Sequence, residues 1–179
     1  MIYNSATIEE QAILNAAAKI CAAARTAPKG KGIDYLETMV LTGSDKDALA
    51  DTMQRMGEEF GMGFFLRDAG NVRTAGAVIL FGMRENKRDL NDICGYCHFK
   101  NCADCAANNG VCAFDAVDIG IALGSAASAA ADERVDSRIL FSAGRAALES
   151  GIMGEGVSMI FALPISISGK SPFFDRKPK

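Results

Sequence analysis

The sequence predicts one α+β domain carrying a cysteine-rich insertion, and three observations carry that prediction. Apolar residues at helical spacing alternate along the chain with short runs of strand character. One run, Ala75–Phe81, is continuously apolar and of strand length, as expected for a strand covered on both faces. Five of the six cysteines fall between positions 94 and 112. At 179 residues the chain is long enough for one sizeable core and too short for two ordinary domains. The expected organisation is a single domain over 1–179, with residues 92–113 as an inserted segment.

The elements follow in order. Ile8, Ala12, Ile13, Ala16, Ala17, Ile20, Cys21 and Ala24 recur at helical spacing, and Thr7 with Glu10 makes a capping-box pattern, so a helix is expected over 8–25. Pro28 and Lys29-Gly30-Lys31-Gly32 end it, and residues 35–42 read as a strand. Ser44 with Asp47 is expected to cap a second helix, whose Leu49, Met53, Met56 and Phe60 share a face until Gly61 and Gly63 stop it. The Ala75–Phe81 strand comes next. Residues 113–131 read as a helix in which Gly120, Gly124 and Ser128 form a smooth stripe, suited to a core helix with a close neighbour. Residues 138–141 read as a short strand and 143–150 as a helix ended by Gly151. Residues 157–167 read as a last strand interrupted at Pro164, followed by a polar surface tail.

The insertion reads Cys94-Gly95-Tyr96-Cys97-His98-Phe99-Lys100-Asn101-Cys102-Ala103-Asp104-Cys105, with Cys112 further on, a C-x2-C-x4-C-x2-C-x6-C pattern. Packing gives no reason to gather so many thiols, so a shared metal or cluster explains them. Structural zinc favours two C-x2-C pairs about a dozen or more residues apart, wider than this spacing. An iron-sulfur cluster accepts closely spaced thiolates from one wrapping loop plus a remote ligand. One ligand set is Cys94, Cys97 and Cys102 with Cys112 as the fourth, which suits a 4Fe-4S cluster. The other takes Cys97, Cys102 and Cys105 in plant-type ferredoxin order, with Cys94 or Cys112 added, so Cys105 stands as the alternative ligand. His98 is expected beside the site or facing solvent, and Cys21 in the core.

Charge excludes further classes. With 19 basic and 22 acidic residues the formal net charge is -3, so no basic footprint for nucleic acid or an anionic membrane is present. Residues 1–5 show no secretory signal, and the weakly polar run 119–131, bounded by Asp118 and Asp132, falls short of the roughly 20 apolar residues of a span. A cytoplasmic, reducing setting is expected. One histidine leaves no credible Ser/His/Asp arrangement for hydrolysis. Gly169-Lys170-Ser171 lacks the upstream glycine of a phosphate loop, and Gly151, Gly154 and Gly156 lack dinucleotide spacing. Lys29, Lys31, Lys170 and Arg176 stand as candidate contacts to a phosphate, against the alternative of a solvated turn and a charged tail.

Cys94-Gly95-Tyr96-Cys97, Asn101-Cys102, Cys112-Ala113-Phe114-Asp115, Ile119–Ser125 and the ending with Ser168-Gly169-Lys170 and Phe173-Phe174-Asp175-Arg176 resemble a family of small proteins described as containing a ferredoxin domain. The order of elements, with Ala22–Gly32 before a strand and Leu163-Pro164-Ile165 near the end, resembles the flavin-dependent nitroreductase fold. These resemblances imply a three-layer nitroreductase-like sandwich, an iron-sulfur protein of electron transfer, a redox partner protein, and the further option of a homodimeric FMN-dependent oxidoreductase. The flavin family's arginine-serine-arginine pattern near its start is absent here. That absence supports the alternative of a non-enzymatic protein with a structural or sensing zinc or iron-sulfur site.

Overall fold

The strand Ala77–Arg84 organises the molecule because both of its faces are covered. The computed structural model describes residues 1–174, and in it the strands β1 (Leu36–Leu41), β2 (Ala77–Arg84), β3 (Asp136–Ser137) and β4 (Val157–Ser166) form one antiparallel sheet in the order β1-β2-β4-β3. Alternation sends Ala77, Ile79, Phe81 and Met83 to one face and Val78 and Leu80 to the other, and all six are fully buried. The continuous apolar run is therefore two core faces interleaved.

Helices α1 (Ser5–Thr26) and α5 (Ala113–Asp132) cover the first face. Ala16, Ala17, Ile20 and Ala24 of α1 share a core with Ile119, Ala122, Leu123, Ala126 and Ala130 of α5. The small side chains let the two helices pack closely over the sheet. Helices α2 (Gly43–Glu59), α3 (Gly63–Thr74) and α6 (Phe141–Ser150) cover the second face with Leu49, Met53, Met56, Phe65, Val72, Ala143 and Ala147. Three layers result, and α4 (Cys102–Ala107) lies in the cysteine segment outside both cores.

The structure departs from the sequence expectations at identifiable points. Asn4, not Thr7, caps α1: its Oδ1 accepts from Thr7 N at 3.0 Å and from Thr7 Oγ1 at 3.1 Å, so the helix begins earlier. Thr42 precedes α2 and Ser44 lies inside its first turn, while Phe60 is 58% exposed and the buried face ends at Met56 and Gly57. Helix α3 was hidden by Gly61 and Gly63, which separate two helices tightly rather than leading into a loop. The short strand is Asp136–Ser137, and of 138–141 only Leu140 bridges to Ala162. Strand β4 runs unbroken through Pro164. Ala162 N points to the side of Leu140, and alternation points the Pro164 nitrogen the same way, into the gap between that bridge and β3. Pro164 has no N–H to donate on that side, so the ladder is interrupted between Ser137 and Leu140 while the pairing with β2 continues.

The glycine stripe of α5 also differs from expectation. Gly120, Gly124 and Ser128 are exposed, and a Cβ on either glycine would meet nothing within 4 Å. The core face is the Ile119–Ala130 set instead. By length and composition α5 is apolar enough to cross a membrane, but that face is spent in the core and its first turns bury Asp115 and Asp118.

Gly144 on α6 is where the layers touch most closely, since a Cβ there would run into the Ile160 carbonyl of β4. Gly144→Ala is expected to destabilise the fold by about 3 kcal/mol or more through backbone displacement. Gly120→Ala is expected to stabilise it by about 0.5–1 kcal/mol, the helix-propensity difference at an unobstructed site. Urea unfolding followed by circular dichroism measures both, and a neutral Gly144→Ala would refute the packing argument.

Candidate functional site

After β2 the chain leaves both cores and returns only at α5. The exit is pinned by Arg84 N donating to Tyr35 O at 3.0 Å and Glu85 N donating to Gly156 O at 3.1 Å. Local bonds then shape the cysteine loop. Leu90 O accepts from Cys94 N at 3.0 Å, and Asn91 Oδ1 accepts from Cys102 N at 2.7 Å, closing the loop that carries Cys94 and Cys97. Gly95 (φ 65°) and His98 (φ 62°) turn the backbone around Cys97, with His98 N donating to Gly95 O at 3.1 Å. Asn101 caps α4 by accepting from Asp104 N at 2.8 Å, and Asp104 Oδ2 accepts from Lys100 N at 3.1 Å.

Cys105 seats under this loop because position 110 lacks a side chain. A Cβ at Gly110 would collide with the Phe99 ring and lie 2.9 Å from Cys105 Sγ. Gly110 N also donates to Cys105 O at 2.7 Å. Cys112 is the N-cap residue of α5.

Cys94, Cys97, Cys102 and Cys112 line one narrow pocket of about 20 Å3, together with Phe99 and Phe114. Cys105 is absent from that lining and is only 1% exposed. Burial and the neighbouring Cys97 push its thiol pKa above the usual range. All six cysteines are free thiols. Among the described residues no group of three or more His, Cys, Asp or Glu side chains is gathered to hold a single metal ion, so the thiols ring a space. Four sulfur donors with no carboxylate in the lining suit a thiophilic group. His98 is exposed and outside the lining, and Cys21 is half-buried at the edge of the α1 core, its thiol pushed up by burial.

Arg88 is the one charged residue lining the pocket among those described, and it is only 1% exposed. Its Nη2 donates to Asp118 Oδ2 at 2.7 Å, and its Nη1 lies 3.2 Å from Asp115 Oδ1. Both carboxylates are fully buried on the first turns of α5. Asp118 Oδ1 accepts from Gly30 N at 2.8 Å, Asp115 Oδ2 accepts from Asn86 N at 3.4 Å, and Lys31 Nζ donates to Arg88 O at 3.2 Å. Burial pushes the Asp115 carboxyl pKa up against the pull of the Asn86 N–H and the nearby Arg88 and Lys87 charges. Arg88 Nε has no hydrogen-bond partner among the described residues. Sequence reasoning missed this ion triad. Its available signal was Asp115 and Asp118 one turn apart at the start of an otherwise apolar helix.

Among the described residues, Lys29 and Lys31 do not come together with Lys170. Lys29 Nζ donates to Ala24 O at 3.0 Å and to Arg25 O, satisfying carbonyls at the end of α1. Lys31 is spent on Arg88 O. Lys170 follows Ser168, which shares a cleft with Glu9, Glu10 and Ile13 near the start of α1, the opposite end of a 22-residue helix. Arg176 lies outside the described residues.

Residues 108–176 match the family described as an uncharacterised protein containing a ferredoxin domain, a span that includes Cys112. An uncharacterised protein of Archaeoglobus fulgidus is 37% identical over an alignment covering 100% of both chains. Among solved structures, one described as a nitroreductase in complex with FMN from Desulfovibrio desulfuricans has a TM-score of 0.59 at 15% identity, covering 92% of this chain and 79% of its own. Nitroreductase A of Vibrio parahaemolyticus (TM-score 0.57, 14% identity, 92% of this chain) and the NADPH:FMN oxidoreductase of Vibrio harveyi complexed with NAD+ (0.57, 15%, 92%) share the same architecture. The chain spans 61% and 63% of the length of these two enzymes. At such identity the likeness establishes a nitroreductase-like fold and nothing about chemistry.

Thiol reactivity reads the burial directly. In reduced, metal-free protein, Cys94, Cys97 and Cys102 are expected to alkylate with iodoacetamide well ahead of Cys105, as followed by peptide mass spectrometry. Equal rates for Cys105 would contradict its seat beneath Gly110.

Proposed function

The chain belongs to the family of proteins described as containing a ferredoxin domain, and from that premise we propose that it is an iron-sulfur protein of electron transfer, with Cys94, Cys97, Cys102 and Cys112 as the ligands of a 4Fe-4S cluster. The supporting observation is the pocket that these four thiols line while Cys105 stays behind it. Bound there, such a cluster supplies a one-electron couple whose potential follows local charge and hydrogen bonding. Cys94, Cys97 and Cys102 come from the loop tied by Asn91, and Cys112 comes from the rigid end of α5, so one ligand is fixed to the scaffold while three wrap around. Phe99 and Phe114 exclude water from the pocket wall. Beside the half-buried Cys94 and Cys97 stand Ile93 and Tyr96, 84% and 68% exposed, where a redox partner protein docks in this reading. A reducing cytoplasm keeps the thiols available.

The fold neighbours described with FMN favour a second reading, a flavin-dependent oxidoreductase assembled as a homodimer. Against it, Lys29 and Lys31 are occupied by backbone carbonyls. A structural zinc site is the non-enzymatic rival.

Anaerobic purification with iron, sulfide, zinc and flavin analysis separates the three. The cluster reading expects iron and sulfide with broad absorbance that bleaches on reduction by dithionite. Stoichiometric zinc in a colourless protein refutes it, and released FMN establishes the second reading. Cys112→Ser is expected to abolish the cluster and Cys105→Ser to retain it. The reverse pattern would make Cys105 the fourth ligand.

A further inference from the structure

Among the described residues the Arg88 guanidinium is the sole charge on the pocket wall, fully buried, held by two carboxylates and left with one N–H donor group that has no partner there. We propose that Arg88 is a positioning residue of the redox site, which fixes Cys112 relative to the cysteine loop and sets the cluster's reduction potential through the balance of its charge against Asp118. This inference rests on the cluster reading above and deepens it.

The positioning half follows from connectivity. Arg88 belongs to the segment leading into Cys94, whereas its partners Asp115 and Asp118 belong to α5, whose N-cap residue is Cys112. Asp115 N also donates to Cys112 O at 3.0 Å. The ion pairs therefore lock the two chain segments that supply the ligands. The electrostatic half follows from burial. A guanidinium keeps its proton at any working pH, and in a dry environment its field is screened little. Reduction adds one electron to the cluster, so a positive wall favours the reduced form and a negative one disfavours it. Asp118 at 2.7 Å and Asp115 at 3.2 Å both oppose Arg88, so the potential follows the sum of the three groups: removing the guanidinium makes that sum more negative and neutralising Asp118 makes it more positive.

The test is a potentiometric titration with dithionite at fixed pH, followed by absorbance and electron paramagnetic resonance, on wild type and three variants. Arg88→Gln is expected to make the potential more negative and Asp118→Asn to make it more positive. Each shift is expected to change the one-electron equilibrium by about tenfold, about 59 mV. Arg88→Lys keeps the charge and is expected to stay near wild type even where its thermal stability falls. A purely structural role predicts an unchanged potential in both charge variants, and that result overturns the proposal; where one variant loses the cluster, the other decides by the sign of its shift. If Arg88→Gln does not fold, Asp118→Asn decides alone, a positive shift supporting the proposal and no shift or a negative one refuting it. Wild-type protein with neither iron nor sulfide refutes the cluster reading and this inference with it, whereas a clustered wild type with unshifted variants refutes this inference only.

Discussion

The buried pairing of Arg88 with Asp115 and Asp118 is the constraint on which the site depends. One guanidinium joins three chain segments: the exit from β2, the start of α5, and through Asp118 and Lys31 the turn after α1. Desolvating three charges is costly, and such groups are tolerable only where each carboxylate finds further donors, here Gly30 N for Asp118 and Asn86 N for Asp115. Removing one partner of a buried pair typically costs about 3–5 kcal/mol because the other charge is stranded. The arrangement therefore acts as a register lock. It admits one relative placement of the loop and the helix, and a uniformly apolar junction would have tolerated several.

The scaffold itself rests on a different principle. Its two cores are apolar and share β2, and none of the five clustered cysteines belongs to either. Small residues of α1 and α5 close one face while larger Leu, Met and Phe side chains from α2, α3 and α6 close the other. Dispersion and burial hold most of this packing, joined by bonds such as Ser142 Oγ donating to Asp68 Oδ2 at 2.6 Å and Ser125 Oγ donating to Ala23 O at 2.9 Å, none of which involves a thiol.

This division explains what the sequence disclosed. Helix α1, strand β2, the buried face of α2 and the Gly151 stop of α6, where Gly151 has φ 66°, all follow from local periodicity or one residue's backbone preference, with displaced bounds: α1 starts at Ser5, β2 runs Ala77–Arg84 rather than 75–81, and Phe60 falls off the α2 face. The cysteine segment was legible for the same reason, since its signal is local spacing. Errors fell where tertiary context overrides local preference. Thr7 looked like a cap until Asn4 claimed its N–H and hydroxyl. Pro164 looked like a break because its register against the gap beside β3 is invisible in one dimension. Gly120 and Gly124 looked like a packing stripe, but which side of an alanine-rich helix is buried depends on the partner helix. The Arg88 triad was least legible of all, because its members lie about 30 positions apart in sequence and charged residues read by default as solvated.

The placement of the cysteine loop follows from the same separation. A strand buried on both faces must end at the rim of the sheet, and the next core element, α5, must begin there too. The chain between them is free of core duties and is where a fold can change chemistry without repacking. Such freedom alone would leave the ligands undefined, since a loop with no apolar anchor samples many arrangements. Polar bonds supply the missing definition: Asn91 closes the loop, Asn101 caps α4, and Arg88 ties both to α5. The apolar layers thus fix where the site lies and the buried polar network fixes its shape, which is why fold likeness to flavoproteins at 15% identity coexists with a ring of thiols read from the cysteine spacing.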